Sequence, residues 1–155
     1  MRYHVQTNEL ILSSGEKARS LGHSYVGSIH ILLALLDQPG EVGTLLRLLG
    51  MEPMAVEAMA QLLYGAGTPD LPLPQGFTPK AREIFRLAAR EAKERGVREI
   101  LPVHVLLALS RAEGTEAEKL LQIFGIGANV LFTHTVECLQ REESAPARGL
   151  SLIHI

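Results

Sequence analysis

The chain has 155 residues, a formal net charge of −2, 46% hydrophobic residues and one cysteine, Cys138. That length buries a substantial core in one domain. The near-neutral charge gives no electrostatic case for nucleic acid, which would want a concentrated basic face, and a single cysteine excludes an intrachain disulfide, so a reducing, cytoplasmic setting is expected. The longest apolar run, Ile31 to Leu36, is far short of the ~20 residues of a membrane span. Met1-Arg-Tyr-His-Val-Gln-Thr-Asn-Glu lacks the apolar stretch of a signal peptide.

The first helix is expected over about 4–21, with Leu10, Ile11, Ser14, Ala18 and Leu21 on one face. Gly15 falls in its middle, where glycine costs roughly 1 kcal/mol against alanine. A second, almost wholly apolar helix over 28–36 would be capped by Ser28. A third over 41–49 stops at Gly50-Met51, and a fourth spans 53–63. Three glycines and three prolines between Gly65 and Gly76 argue for a linker without regular structure.

The pattern then repeats. Thr78 caps a fifth helix, Pro79 opens it, and Ala81, Ile84, Phe85, Ala88 and Ala92 form its buried stripe before Gly96 ends it. Pro102 opens a sixth, apolar helix over 102–110. The second and sixth helices, apolar nearly all round, must be covered on most sides and serve as central pillars. Thr115-Glu-Ala-Glu118 reads as a capping box for a seventh helix ending at Gly125-Ile126, and an eighth runs over about 128–141.

These two series are one series written twice. His30 and His104 are 104 − 30 = 74 residues apart, as are Gly22/Gly96, Tyr3/Phe77, Ile11/Phe85 and Leu32/Leu106. After a one-residue insertion, Leu45/Leu120, Leu46/Leu121 and Gly50/Gly125 keep an offset of 75. A fixed-period echo of this length marks a tandem duplication. Two four-helix repeats, 1–64 and 77–141, joined by a 65–76 linker, are therefore expected to bury their apolar faces against each other, neither being stable alone.

Few side chains suggest chemistry. His23 and His30 sit seven apart across Gly27, without the close spacing of helical metal ligands, so His30 and His104 read as hydrogen-bonded structural residues near the repeat interface. Cys138, beside Leu139, reads as a small buried hydrophobe. The charges between Arg86 and Arg98 alternate in sign, as on a solvated helix face. Lys17, Lys80, Lys93 and Lys119 are the only lysines and none follows a glycine, so no phosphate loop is present.

Residues 142–149 look like a polar linker. The last six, Leu150-Ser-Leu-Ile-His-Ile155, are what CTG-TCT-CTT-ATA-CAC-ATC encodes, which matches a transposase adaptor used in preparing sequencing libraries. The expectation is that 150–155 are a translated adaptor joined to a natural chain cut near Gly149.

Leu21-Gly-His-Ser-Tyr-Val-Gly-Ser-Ile-His-Ile-Leu-Leu-Ala-Leu-Leu36, its second copy, the Phe77-Thr-Pro-Lys-Ala opening and the Gly50 and Gly125 stops together resemble the Clp repeat, the N-terminal module of Clp ATPases. The resemblance covers Tyr3 to about Arg141. It implies an all-α fold of eight helices, two four-helix repeats about a pseudo-twofold axis, tethered above a hexameric ATP-driven unfoldase ring with a partner peptidase. It also implies adaptor proteins or unfolded, tagged substrates as partners, no nucleic acid and no membrane. ATP and magnesium would belong to modules beyond this chain, which would not itself be an enzyme.

In Clp C relatives the residue before the repeat histidine is typically glutamate, and that pair helps hold phosphorylated arginine. The matching positions here are Ile29 and Val103, which removes the charge-assisted bonds. The helix-opening threonine is kept as Thr78 but is His4 in the first copy. The resemblance thus places an apolar adaptor- or substrate-binding cleft at Ile29 and Val103, edged by His4, Ser28 and Thr78, with an exposed apolar patch as its mark. A free-standing regulator or decoy, the N-terminal domain of a disaggregase, and a small-molecule-binding or enzymatic helical domain remain open.

Overall fold

The structure, a computed structural model, describes residues 1–67, 74 and 76–143. Among them are eight helices: α1 (Val5–Ser20), α2 (Ser28–Asp37), α3 (Glu41–Leu48), α4 (Pro53–Tyr64), α5 (Pro79–Glu94), α6 (Pro102–Arg111), α7 (Glu116–Ile123) and α8 (Ala128–Glu143). The fold is all-α and made of two four-helix repeats. The expected linker from 142 begins inside α8, which runs to Glu143. Residues 68–73, 75 and 144–155, with the proposed adaptor tail, lie outside the described part.

The two apolar helices are the pillars. In α2 every residue from Ser28 to Leu36 is buried, and in α6 every residue from Pro102 to Ser110. They pack on each other and on the remaining helices, α1 and α4 against α2, α5 and α8 against α6. The core cluster runs through both repeats without a break, from Leu10 to Leu139. The helix stops work as glycine permits: Gly50 and Gly125 take φ of 112° and 79°. The following Met51 and Ile126 N–H groups then close back onto Leu46 and Leu121 carbonyls at 3.1 and 2.9 Å.

Two pairings absent from the helical pattern stitch the repeats together. β1 (Arg2–Tyr3) runs parallel to β2 (Glu99–Ile100), with Tyr3 opposite Ile100. Val26 forms a parallel bridge with Phe77. These are the same contact twice, because Phe77 follows Tyr3 by 77 − 3 = 74 residues and Ile100 follows Val26 by 100 − 26 = 74. The chain before each repeat's first helix thus pairs with the loop before the other repeat's pillar. His4 N–H donates to Ile100 O at 3.0 Å, and Thr78 N–H to Val26 O at 2.9 Å. This exchange is the structural form of the pseudo-twofold.

The caps differ in detail from expectation. Thr78 Oγ1 accepts from Ala81 N–H at 3.1 Å and Thr115 Oγ1 from Glu118 N–H at 3.0 Å. Glu118 reaches past Thr115 to accept from Gly114 N–H at 2.9 Å. Ser28 does not cap α2. That position is Gly27, and Ser28 Oγ accepts from Ala117 N–H in the first turn of α7 at 3.1 Å. Ser28 therefore supplies one of the missing N-terminal partners of a helix in the other repeat.

Candidate functional site

The cleft expected from the sequence is interior. Ile29 and Val103 open α2 and α6, and each is only 1% exposed. The apolar surface expected there does not exist, because the cross-repeat pairings draw both helix openings into the core. Ser28 is buried with its hydroxyl engaged on α7. His4 caps α1, its Nδ1 accepting from Gln6 N–H at 3.1 Å, and Thr78 caps α5. Thr78 and Ser28 do converge around Gly27, where a Cβ would lie 3.7 Å from both Thr78 Cγ2 and Glu116 Oε1. Val103 instead borders a small cleft of about 150 Å³ with Gln6, Gln38, Gly40 and Glu41.

An apolar groove lies elsewhere, between α1 and α5. Tyr3, Ile11, Phe77, Phe85 and Ala89 line a groove of about 420 Å³, with Arg82 and Arg86 at its border. Ile11 and Phe77 are shared with an adjoining depression of about 390 Å³ formed by Leu12, Gly15, Val26, Pro74 and Gly76, bordered by Glu16 and Arg19. Phe85 anchors the floor by edge-to-face contacts, its ring 6.1 Å from Tyr3 and 5.4 Å from Phe77. Leu12 stands 70% exposed on the rim.

Gly15 belongs to this groove. A Cβ there would meet nothing within 4 Å, so any side chain would project into open space above the groove. Arg82 donates to Phe77 O at 2.8 Å and Arg86 pairs with Glu83, so both guanidinium groups are held beside the aromatic floor. The sequence did carry a signal for this site. Tyr3/Phe77 and Ile11/Phe85 are duplicated pairs of large apolar residues, and the structure brings all four to one place.

The histidines form a relay. Gly27 N–H donates to His30 Nδ1 at 2.8 Å, His30 Nε2 meets His23 Nδ1 at 2.8 Å, and His23 Nε2 meets Gly65 O at 2.6 Å. All four ring nitrogens are thus engaged within the protein. Burial, and then the neighbouring His23, pushes the His30 pKa down from 6.5 to about 4. His104 repeats the first step, its Nδ1 accepting from Leu101 N–H at 2.9 Å. Cys138 Sγ donates to Glu41 Oε2 at 3.3 Å, and burial followed by that carboxylate raises its thiol to about 12. A thiol so held is no nucleophile near neutral pH.

A duplicated all-α core with an apolar groove between the two repeats' first helices can be set against known proteins. The family profile described as the Clp repeat (R) N-terminal domain matches residues 2–124 and again 76–151, the second match starting where the second copy starts. The chain belongs to this family. The chain is 27% identical over 150 residues to the chaperone protein ClpC1, chloroplastic, of Oryza sativa subsp. japonica, covering 96% of this chain and 16% of that protein. It is 28% identical over 148 residues to the chaperone protein ClpB of Oceanobacillus iheyensis, covering 95% and 18%. The chain therefore spans under a fifth of the length of these relatives.

Solved structures agree on the fold. The N-terminal domain of the Clp-protease-associated chaperone ClpD from Arabidopsis thaliana superposes with a TM-score of 0.74 at 20% identity, covering 90% of this chain and 95% of that one. The Hsp104 N-terminal domain from Candida albicans gives 0.72 at 16%, covering 89% and 91%. A Clp repeat domain is a non-catalytic part of Clp ATPases. No helix among the described residues is long and apolar enough to cross a membrane.

Proposed function

We propose that this Clp repeat domain recognises polypeptide, taking an extended apolar segment of an adaptor or substrate protein into the α1/α5 groove for delivery to an ATP-driven unfolding machine. The observation that carries the reading is the groove itself, an apolar channel floored by Tyr3, Phe77 and Phe85, whose two depressions join at Ile11 and Phe77. Arg19 and Arg82 border it against one lining carboxylate, Glu16, while Arg86 is paired with Glu83. The preferred occupant is therefore apolar with acidic flanks.

His4, Ser28, Ile29, Thr78 and Val103 enter this reading indirectly. His4 and Thr78 cap α1 and α5 themselves, and Ser28, Ile29 and Val103 sit in the openings of the two pillars on which those helices pack. ATP and magnesium, a hexameric ring and a partner peptidase would belong to the larger protein, as would the choice between proteolysis and disaggregation. Relatives named as chaperones and as an ATP-dependent Clp protease ATP-binding subunit are compatible with either. The cytoplasm remains our proposed location, although the plant relatives are named chloroplastic.

The test is fluorescence anisotropy with a labelled apolar peptide carrying acidic ends. Leu12→Glu, at an exposed rim position that should not disturb folding, is expected to weaken binding about tenfold. Exchanging the acidic ends for lysines should weaken it further. Affinity unchanged by both alterations would remove the groove as the recognition site.

A further inference from the structure

The relay of His23 and His30 fixes every proton it contains. A backbone N–H can only donate, so His30 Nδ1, 2.8 Å from Gly27 N, must be the bare nitrogen. The His30 proton then sits on Nε2 and points at His23 Nδ1, 2.8 Å away. That nitrogen must accept, which leaves the His23 proton on Nε2 to be donated to Gly65 O at 2.6 Å. Neither ring has room for a second proton. A proton on His30 Nδ1 would face the Gly27 N–H, and one on His23 Nδ1 would face the His30 N–H. The relay closes only when both rings are neutral.

What the relay holds is the start of the segment between the repeats. Gly65 follows α4, and two residues on, Gly67 N–H donates to Leu21 O at 2.7 Å. There the backbones touch so closely that a Cβ on Gly67 would fall 1.7 Å from Gly22 O. The other ionisable groups at this corner come from α7 and α4. Glu116 Oε1 lies beside Gly27, and the Tyr64 hydroxyl donates to Glu116 O at 3.4 Å. Arg19, in the last turn of α1, borders the groove instead.

We infer that His23 and His30 form a proton-operated latch that fastens residues 65–67 to the corner between α1 and α2 and releases them on acidification. A second proton on either ring sets two N–H groups against each other, the relay opens, and Gly65 O loses its donor. Release frees residues 65–67 from the corner, and the latch does not rest on the groove reading.

The experiment reads the latch without any ligand. Nitrogen-15 spectra of the histidine rings at about pH 7.5 should place both rings in the neutral Nε2–H form. The protection factor of the Gly67 amide, corrected for intrinsic exchange, should then fall about tenfold between pH 7.5 and 5, while amides in α6 keep theirs. In His23→Phe, which removes both relay contacts at a half-exposed position, Gly67 protection should be low at both pH values. A charged or Nδ1–H ring at about pH 7.5, unchanged Gly67 protection on acidification, or the same pH response in His23→Phe would each overturn the latch.

Discussion

The two repeats share a skeleton and reverse one set of charges. In the first, Lys17 on α1 reaches Asp37 at the end of α2 and Glu57 on α4. In the second, the positions 74 residues on are Glu91 and Arg111. Glu91 on α5 bonds Arg111 at the end of α6 at 3.2 Å, and Arg111 lies 5.4 Å over the Phe132 ring of α8. The same tie of first, second and fourth helices is made with opposite polarity. A mispaired domain, with α1 on α6 and α5 on α2, would set Lys17 beside Arg111 and Glu91 beside Asp37. Apolar patterns that match between copies cannot choose the right partner, whereas reversed charges can.

The comparison can be broken most forcefully at the pillars. Leu32→Ala and Leu106→Ala empty equivalent, fully buried sites, and each should cost about 2–5 kcal/mol in urea denaturation. Both should lower one shared transition. Two separated transitions would mean that the repeats fold independently.

The next effect reads the first copy by pH. Burial and His23 hold His30 near 4 in the folded state against 6.5 otherwise. A depressed histidine contributes stability that is present above about pH 6.5 and is lost as pH falls towards about 4, because the unfolded chain takes the proton first. The loss over that window should be about 3 kcal/mol and should be absent in His30→Gln, as read from denaturation midpoints at successive pH values.

A smaller asymmetry is Ser28, whose hydroxyl caps α7 while its counterpart, Pro102, offers no hydroxyl to α3. Ser28→Ala should cost about 1 kcal/mol, with faster amide exchange confined to the first turn of α7. The ion pairs come last. Lys17→Met and Arg111→Met should each cost under about 1 kcal/mol. Lys17 should cost more, because its side chain is 20% exposed against 56% for Arg111. The reverse order would show that the cation over Phe132 outweighs the double carboxylate contact.

Much of the fold was legible. Helical periodicity, the caps at Thr78 and Thr115 and the glycine stops placed the helices to within a few residues, since these signals act locally on the backbone. The candidate site was less so. Ile29 and Val103 lie in helices apolar on every side, and no period distinguishes a residue covered by its own repeat from one facing water. Ser28 looked like a local cap because its use is across the interface. The Tyr3–Ile100 and Val26–Phe77 pairings are two residues long or shorter, too brief to leave a pattern.

The sequence by itself determined the duplication, the family, the helices and which two of them must be central, because these follow from spacing along the chain and from apolar residues seeking cover. Only the tertiary structure decided which apolar side chains stay uncovered, that Tyr3, Ile11, Phe77 and Phe85 meet in one groove, and that His23, His30 and Gly65 share a proton path. Those outcomes depend on how two nearly identical halves dock, and each half alone is silent about the surface its twin will hide.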